Sequence, residues 1–326
     1  MGLGGCHKTP FENTLSPEYP AGFPEEKPCQ IRVCIDTPAA KVAAADVDES
    51  RIASLQVLVF RENGFLENYG SASGSSLSID CTSGPKTFWA FANTASLSGI
   101  RNLDELNAFT FSLNTVSPDA LPMRGCRQAL ISTHSELNIE VSRMVCKIEL
   151  KDVVTRMAAA WSDARLNFSK MYLTNAVSGI TLDGSIQRWA NKMLFTNDCP
   201  SLTLETSPSP FAWQMGATDS LRFSRVFFAL ANPTEEDNLS TNWSPRFTRL
   251  VLEGSISQDG GDTLLEDVYY PIPIANLQAN HRYIINRYTI IRPGLDSPGA
   301  DARLLETDFS VTVKDWDETH TIYESL

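Results

Sequence analysis

The final stretch of the chain reads as β-strand almost without interruption, and this constrains the fold more than any other feature. Tyr269-Tyr270-Pro271-Ile272-Pro273-Ile274 and Phe309-Ser310-Val311-Thr312-Val313-Lys314-Asp315-Trp316 carry the two-residue alternation of half-buried strands, and strand-like residues continue toward Leu326. Nothing in this segment has a catalytic signature. A chain that ends in well-patterned strands, one close enough to the terminus to leave its own domain, points to backbone pairing with a neighbour.

The same patterning recurs upstream. Gln30–Ile35, Leu55–Phe60, Ser76–Asp80, Thr87–Asn93, Leu137–Leu150, Phe168–Leu173, Leu202–Leu204, Leu221–Leu230 and Phe247–Glu253 all read as strands. Glu62-Asn63-Gly64 directly follows an apolar run and predicts a hairpin, because both Asn63 and Gly64 tolerate positive φ. Thr181-Leu182-Asp183-Gly184 reads as strand and turn, and Asp259-Gly260-Gly261-Asp262 as a second hairpin turn. A short helix is expected over Leu103–Phe109, opened by Asn102 as its cap. Between Lys151 and Leu166 the alternation stops and Met157-Ala158-Ala159-Ala160-Trp161 offers helix formers, so the domain boundary is placed there.

Many short strands punctuated by turns, without regular strand-helix alternation, predict an all-β chain of antiparallel sandwiches. With 326 residues, two such domains are expected. The predicted organisation is an N-terminal tether over 1–28, a β-sandwich over 29–152, a linker over 153–165 and a second β-sandwich over 166–326, with short helical insertions.

A net charge of −12 argues against nucleic acid or an anionic membrane surface as partner, since both require clustered Lys and Arg. No apolar run reaches the ~18 residues of a membrane-spanning helix. Leu3-Gly4-Gly5-Cys6 matches the lipobox that precedes acylation of a bacterial lipoprotein cysteine, which makes Cys6 the expected lipidation site once a signal peptide has been removed. Pro10, Pro17, Pro20, Pro24 and Pro28 then describe an extended tether. Cys29, Cys34, Cys81, Cys126, Cys146 and Cys199 are even in number and could pair in an oxidising compartment, with connectivity left open. At least half of them read instead as small buried hydrophobes, as Cys146 does in Val145-Cys146-Lys147-Ile148. No CxxC or zinc-spaced His accompanies them.

His7, His134, His281 and His320 are scattered and read as structural or solvated. Asp259-Gly260-Gly261-Asp262 lacks the alternating oxygen ligands and distal Glu of a calcium loop. No nucleophile elbow, phosphate loop or dinucleotide fingerprint is present in a strand-to-helix context. Trp89, Tyr269 and Tyr270 could line a sugar-binding face, but core filling is the commoner use of aromatics in a sandwich. The chain is therefore expected to be neither an enzyme nor a cofactor binder.

Several segments, taken in order, resemble the fimbrillins of Bacteroides- and Porphyromonas-type bacteria. They are Leu55–Phe60 with Glu62-Asn63-Gly64, Trp89-Ala90-Phe91-Ala92-Asn93, Leu121-Pro122-Met123-Arg124-Gly125, Val145-Cys146-Lys147-Ile148-Glu149-Leu150, Phe247-Thr248-Arg249-Leu250-Val251 and Tyr269–Ile274. Asn280-His281-Arg282-Tyr283, Arg292-Pro293-Gly294-Leu295-Asp296-Ser297-Pro298 and Val313-Lys314-Asp315-Trp316 complete the series, and the C-terminal part is similar to major shaft subunits.

The resemblance implies a type V pilus subunit with two transthyretin-like β-sandwich domains, exported as an outer-membrane lipoprotein. A surface protease then removes the tether with the first strand, and a strand of the next subunit fills the groove left behind. The removable strand would be Gln30, Ile31, Arg32, Val33, Cys34 and Ile35. The family cleaves after an Arg in the following loop, where this chain places Lys41, with Arg51 as the alternative site. The candidate donor strand is Thr319, His320, Thr321, Ile322, Tyr323, Glu324, Ser325 and Leu326, in which Ile322 and Leu326 flank Glu324 at alternate-side spacing, although it could equally close its own sandwich. Implied partners are other pilus subunits, the maturation protease and, through lipid on Cys6, the outer membrane. Other roles in the resemblance's range are a tip adhesin or a membrane anchor, and outside it a carbohydrate-binding surface lipoprotein.

Overall fold

The computed structural model describes residues 26–36, 49–189, 213–238, 246–261, 264–305, 308–316 and 322–324. In chain order the first elements are β1 (Pro28–Asp36), β2 (Ser54–Arg61), β3 (Leu66–Ser73), β4 (Ser76–Thr82), β5 (Gly84–Ala92), α1 (Leu103–Ala108), β6 (Phe111–Ser112), β7 (Met123–Ile131), β8 (Ser135–Glu140) and β9 (Ser142–Arg143). They are followed by β10 (Val145–Thr155), β11 (Arg165–Thr174), β12 (Val177–Ile180), β13 (Ile186–Trp189), β14 (Trp213–Gly216) and β15 (Ser220–Leu230). The chain closes with β16 (Thr248–Ser257), β17 (Leu264–Ile274), β18 (His281–Ile290), β19 (Asp308–Asp315) and β20 (Ile322–Glu324). The all-β expectation therefore holds.

The chain divides into two compact units, the first holding Met1–Phe111, Asp119–Met144 and Thr181–Ser185, the second holding Ser112–Pro118, Val145–Ile180 and Ile186–Leu326. The first unit packs a sheet of order β4-β1-β8 against one of order β3-β2-β5-β7-β9. Its core draws on both sheets: Ile31, Val33 and Ile35 of β1, Leu77 and Ile79 of β4, and Leu137 and Ile139 of β8 cluster with Val57 and Val59 of β2 and Phe88 of β5. This is a sandwich, and interdigitation of the two inner faces is what holds it. The second unit has sheets of order β15-β10-β18-β19-β20 and β14-β11-β16-β17. Ile148, Leu150 and Val153 of β10, Phe168 and Tyr172 of β11, and Leu250 and Leu252 of β16 are buried there.

Three features depart from the sequence reading. One sheet of each unit is mixed rather than antiparallel, since β1 runs parallel to β8 and β10 runs parallel to β18, while β3-β2-β5-β7-β9 and β14-β11-β16-β17 are antiparallel as expected. Parallel neighbours need long crossovers, and the whole chain between β1 and β8 serves as one. The division between units falls at Met144/Val145, not at 152, because β10 pairs with β15 and β18 of the second unit. Consequently Leu137–Leu150 is not one strand but parts of β8, β9 and β10, and the helix-forming run before Leu166 contributes only a 3-10 turn over Ala159–Trp161.

The turns are nearer to expectation. Gly64 has φ 81° while Asn63 does not enter the left-handed region, so the hairpin from β2 to β3 is not the expected pair of positive-φ residues. Gly64 N donates to Arg61 O at 2.9 Å and Arg61 N to Phe65 O at 3.0 Å, which is the longer loop that ends on a left-handed glycine. At α1 the Asn102 side chain accepts from Glu105 N at 2.8 Å, and Glu105 Oε2 accepts from Arg101 N at 2.8 Å, closing the first turn reciprocally. Asp259 Oδ1 accepts from Gly261 N at 3.1 Å and Gly260 has φ 70°, so this carboxylate shapes the turn ahead of β17.

Among the described residues no group of His, Cys, Asp and Glu is arranged to hold a metal ion. Nor is any of their helices long and apolar enough to cross a membrane, which says nothing of strand-built spans.

Candidate functional site

Strand β1 is the residue set singled out for removal, and its position gives that role physical content. It is the central strand of its sheet, with β4 antiparallel on one side and β8 parallel on the other. Cys29, Ile31, Val33 and Ile35 are buried, whereas Gln30, Arg32 and Asp36 are exposed and Cys34 lies between these extremes. The alternation follows from strand geometry, since successive side chains point to opposite faces. Burying each of Ile31, Val33 and Ile35 contributes roughly 1.5–3 kcal/mol. Taking β1 out would leave a slot with unpaired backbone on β4 and β8 and with apolar pockets at two-residue spacing.

Polar contacts tie β1 to the strands and turn beside it. Gln30 N donates to His134 Nδ1 at 2.7 Å, and Gln30 Nε2 to Asp80 Oδ1 at 3.1 Å. Cys34 Sγ donates to Glu136 Oε1 at 3.6 Å. The C-terminal end is held by Val141 N donating to Asp36 O at 3.2 Å. His134 is thus a structural histidine that ties the start of β1, a role visible only once the strand pairing is known.

After β1, the Glu49 carbonyl accepts from Nε and Nη2 of buried Arg143, both at 3.4 Å. Arg51, one of the two expected cleavage positions, has an exposed side chain but a tethered backbone. Its carbonyl accepts from Asn93 Nδ2 at 2.8 Å, and Asn93 Oδ1 accepts from Ala53 N at 2.8 Å. Asn93 itself has φ 57°, a left-handed conformation that Asn tolerates better than most residues. A protease must place the scissile carbonyl against its own donors, so cleavage after Arg51 first requires breaking this clasp. The other expected position, Lys41, and the expected lipidation site, Cys6, lie outside the described residues.

At the other end, Ile322–Glu324 of the candidate donor forms β20, the edge strand of the second unit's sheet. It pairs with β19 in the register Val311↔Glu324, Thr312↔Tyr323 and Val313↔Ile322. Thr319, His320, Thr321, Ser325 and Leu326 lie outside the described residues. Immediately upstream the chain is anchored: Trp316 is buried, its ring stacks on Phe228 at 5.8 Å, and its N–H donates to Asn280 O at 2.9 Å.

Other candidates resolve into packing. Trp89 is buried and stacks on Phe91 at 5.8 Å, and Tyr270 is buried with its ring edge-on to Phe168 at 5.7 Å. Cys29, Cys34, Cys81 and Cys146 are free thiols, three of them buried. Burial pushes the Cys146 thiol up to about 12, as befits an inert core residue.

Residues 31–130 match the family model described as the major fimbrial subunit protein (FimA). No curated protein matches the chain in sequence. Among solved structures, a fimbrilin (fimA) from Porphyromonas gingivalis W83 superposes with a TM-score of 0.60 at 16% identity, covering 88% of this chain and 97% of that one. The tip fimbrial protein Mfa3 from Porphyromonas gingivalis gives a TM-score of 0.50 at 14% identity, covering 89% of this chain and 100% of that one. A fimbrial assembly protein from Parabacteroides distasonis gives 0.50 at 12% identity, covering 92% and 99%. Residues 31–130, from β1 through β7, thus carry the sequence pattern of the major fimbrial subunit family, and about nine-tenths of the chain shares the fold of the solved fimbrilin.

Proposed function

We propose that the chain is a polymerising subunit of a cell-surface pilus, in which β1 is released after a cut between Asp36 and Glu49 and replaced by a strand from a neighbouring subunit. The observation that carries this reading is the character of β1: a central strand whose buried side chains, Cys29, Ile31, Val33 and Ile35, are all apolar and alternate along its length. Any strand with the same alternation can satisfy the slot, which is what exchange requires. Repetition of a head-to-tail contact does not close on itself, so it builds a fibre.

The cleavage position is Lys41 rather than Arg51, because the Asn93 clasp withholds the Arg51 carbonyl from a protease. The donor is the C-terminal segment Thr319–Leu326, which follows the anchored Trp316 and whose described part is an edge strand paired with β19 over three residues. Lipidation at Cys6 would hold the uncut subunit at the outer membrane, and the cut would release it from that tether.

Limited trypsin digestion followed by N-terminal sequencing and electron microscopy tests the reading. The expected result is one early cut after Lys41, loss of the N-terminal fragment and appearance of oligomers or filaments. Lys41→Ala removes that cut and Arg51→Ala leaves it in place. A cut protein that keeps its fragment and stays monomeric contradicts the proposal.

A further inference from the structure

The removable strand carries a second feature that its role in exchange does not require. Cys29 of β1 lies directly opposite Cys81 of β4 in the antiparallel register. Both side chains are buried in the same core, at 4% and 6% exposure, and both thiols are free. Residues opposite each other on antiparallel strands share a face, so the two sulfurs point into the same space.

The backbone pairing fixes the separation. Ser83 N donates to Lys27 O at 2.8 Å and Ile35 N donates to Ser75 O at 2.9 Å. Hydrogen-bonded pairs recur every second residue of an antiparallel ladder, so Cys29 and Cys81 form such a pair, with Cα atoms about 5.5 Å apart. That is within the separation disulfides adopt, about 4.4–6.8 Å.

We propose that Cys29 and Cys81 are a redox-modification site, and that their cross-strand disulfide is a lock that retains β1 in its slot after the chain has been cut. This rests on the strand-release reading above. The bond forms by exchange with a disulfide oxidant, either a small-molecule disulfide or an oxidoreductase in its disulfide form. Both thiol protons are lost, one sulfur–sulfur bond forms between the cysteines, and the oxidant's disulfide is reduced to two thiols. Position gives the bond its effect. A cut between Asp36 and Glu49 frees the C-terminal end of β1, but Cys29 sits near its N-terminal end, so the fragment stays covalently attached through Cys81 until a thiol reductant reopens the bond. Burial pushes the Cys81 thiol up to about 11, with Glu67 and Cys29 adding to the rise, so exchange is slow while β1 is seated.

The test uses the full chain, oxidised with glutathione disulfide or reduced with dithiothreitol, then cut with trypsin and passed over a sizing column. In the oxidised wild type the Cys29-bearing fragment is expected to co-elute with the body and to leave on addition of dithiothreitol, and mass spectrometry should find the Cys29 peptide joined to the Cys81 peptide. Cys29→Ala and Cys81→Ala each abolish the oxidised retention, whereas Cys34→Ala, on the same strand, keeps it. Absence of the joined peptide after oxidation overturns the lock, as does retention that survives both alanine variants. The joined peptide is also read on uncut protein, so it judges the bond even if a variant folds poorly. Retention of the fragment in the reduced, cut wild type counts against strand release itself, and the joined peptide then decides the bond alone.

Discussion

Strands β1 and β10 occupy equivalent places in their units, each between an antiparallel and a parallel neighbour, yet they are held by different physics. β1 is half-buried and the side chains it buries are apolar. β10 is buried on both faces over Val145–Leu150 and takes two charges inside with it, Lys147 and Glu149. Glu149 is the hub: Lys147 Nζ lies 3.4 Å from Oε1, Arg282 Nη2 2.7 Å from Oε1, and Lys151 Nζ 2.6 Å from Oε2. An apolar alternation can be satisfied by any strand with the same period, whereas a buried carboxylate with three cationic partners accepts one sequence in one register. The molecule thus has one first strand suited to exchange and one suited to permanence.

The largest expected break in this comparison is Glu149→Ala. Removing the carboxylate leaves buried Lys147 uncompensated beside the part-exposed Arg282 and Lys151, which costs about 3–5 kcal/mol. Thermal and denaturant unfolding should show that loss in the second unit. Ile31→Ala is next: deleting a fully buried aliphatic side chain from β1 should cost about 2–4 kcal/mol in the first unit, and it should also speed loss of the cut fragment.

Acid titration separates the two strands by charge. Burial alone would raise the Glu149 carboxyl, but Lys147, Lys151 and Arg282 outweigh it and hold the group down at about 2. A depressed carboxyl contributes its stability above its unfolded value near 4.5 and loses it as pH falls toward 2. The second unit should therefore lose Tm over that window, with a shallower slope in Glu149→Gln, while the pairing of β1 contributes no such slope from its own buried residues. The smallest effect is expected at the cap of α1, where Asn102→Ala should cost about 1 kcal/mol in the first unit and leave strand retention unchanged.

Local signals were the legible part of this fold. The alternation of β1, the apolar run of β2 and the Asn102 cap are properties of neighbouring residues, and each element forms where that pattern predicts it. Pairing was not legible. Leu137–Leu150 reads as one strand because Val141, Met144 and Val145 continue the apolar pattern across two breaks, and nothing local tells Val145–Thr155 to join β15 and β18. The same holds for the site. Ile31 and Val33 mark β1 as a one-faced strand from sequence alone, but the clasp of Asn93 on Arg51 spans 42 residues and the Cys29–Cys81 pair exists only once the register with β4 is set. Gly64 shows the limit of turn chemistry in a third way: the glycine is left-handed as expected, but loop length, not residue type, decided the conformation of Asn63.

Hydrogen exchange on the reduced protein, before and after a cut between Asp36 and Glu49, tests the contrast most directly. In the uncut chain the amides of β1 and β10 should both be protected by their ladders. After the cut, protection should vanish over Pro28–Asp36 and fall on the facing edges of β4 and β8, while β10 stays unchanged until a neighbouring subunit restores the slot. Protection of β1 that persists after the cut at the level of β10 would contradict the account.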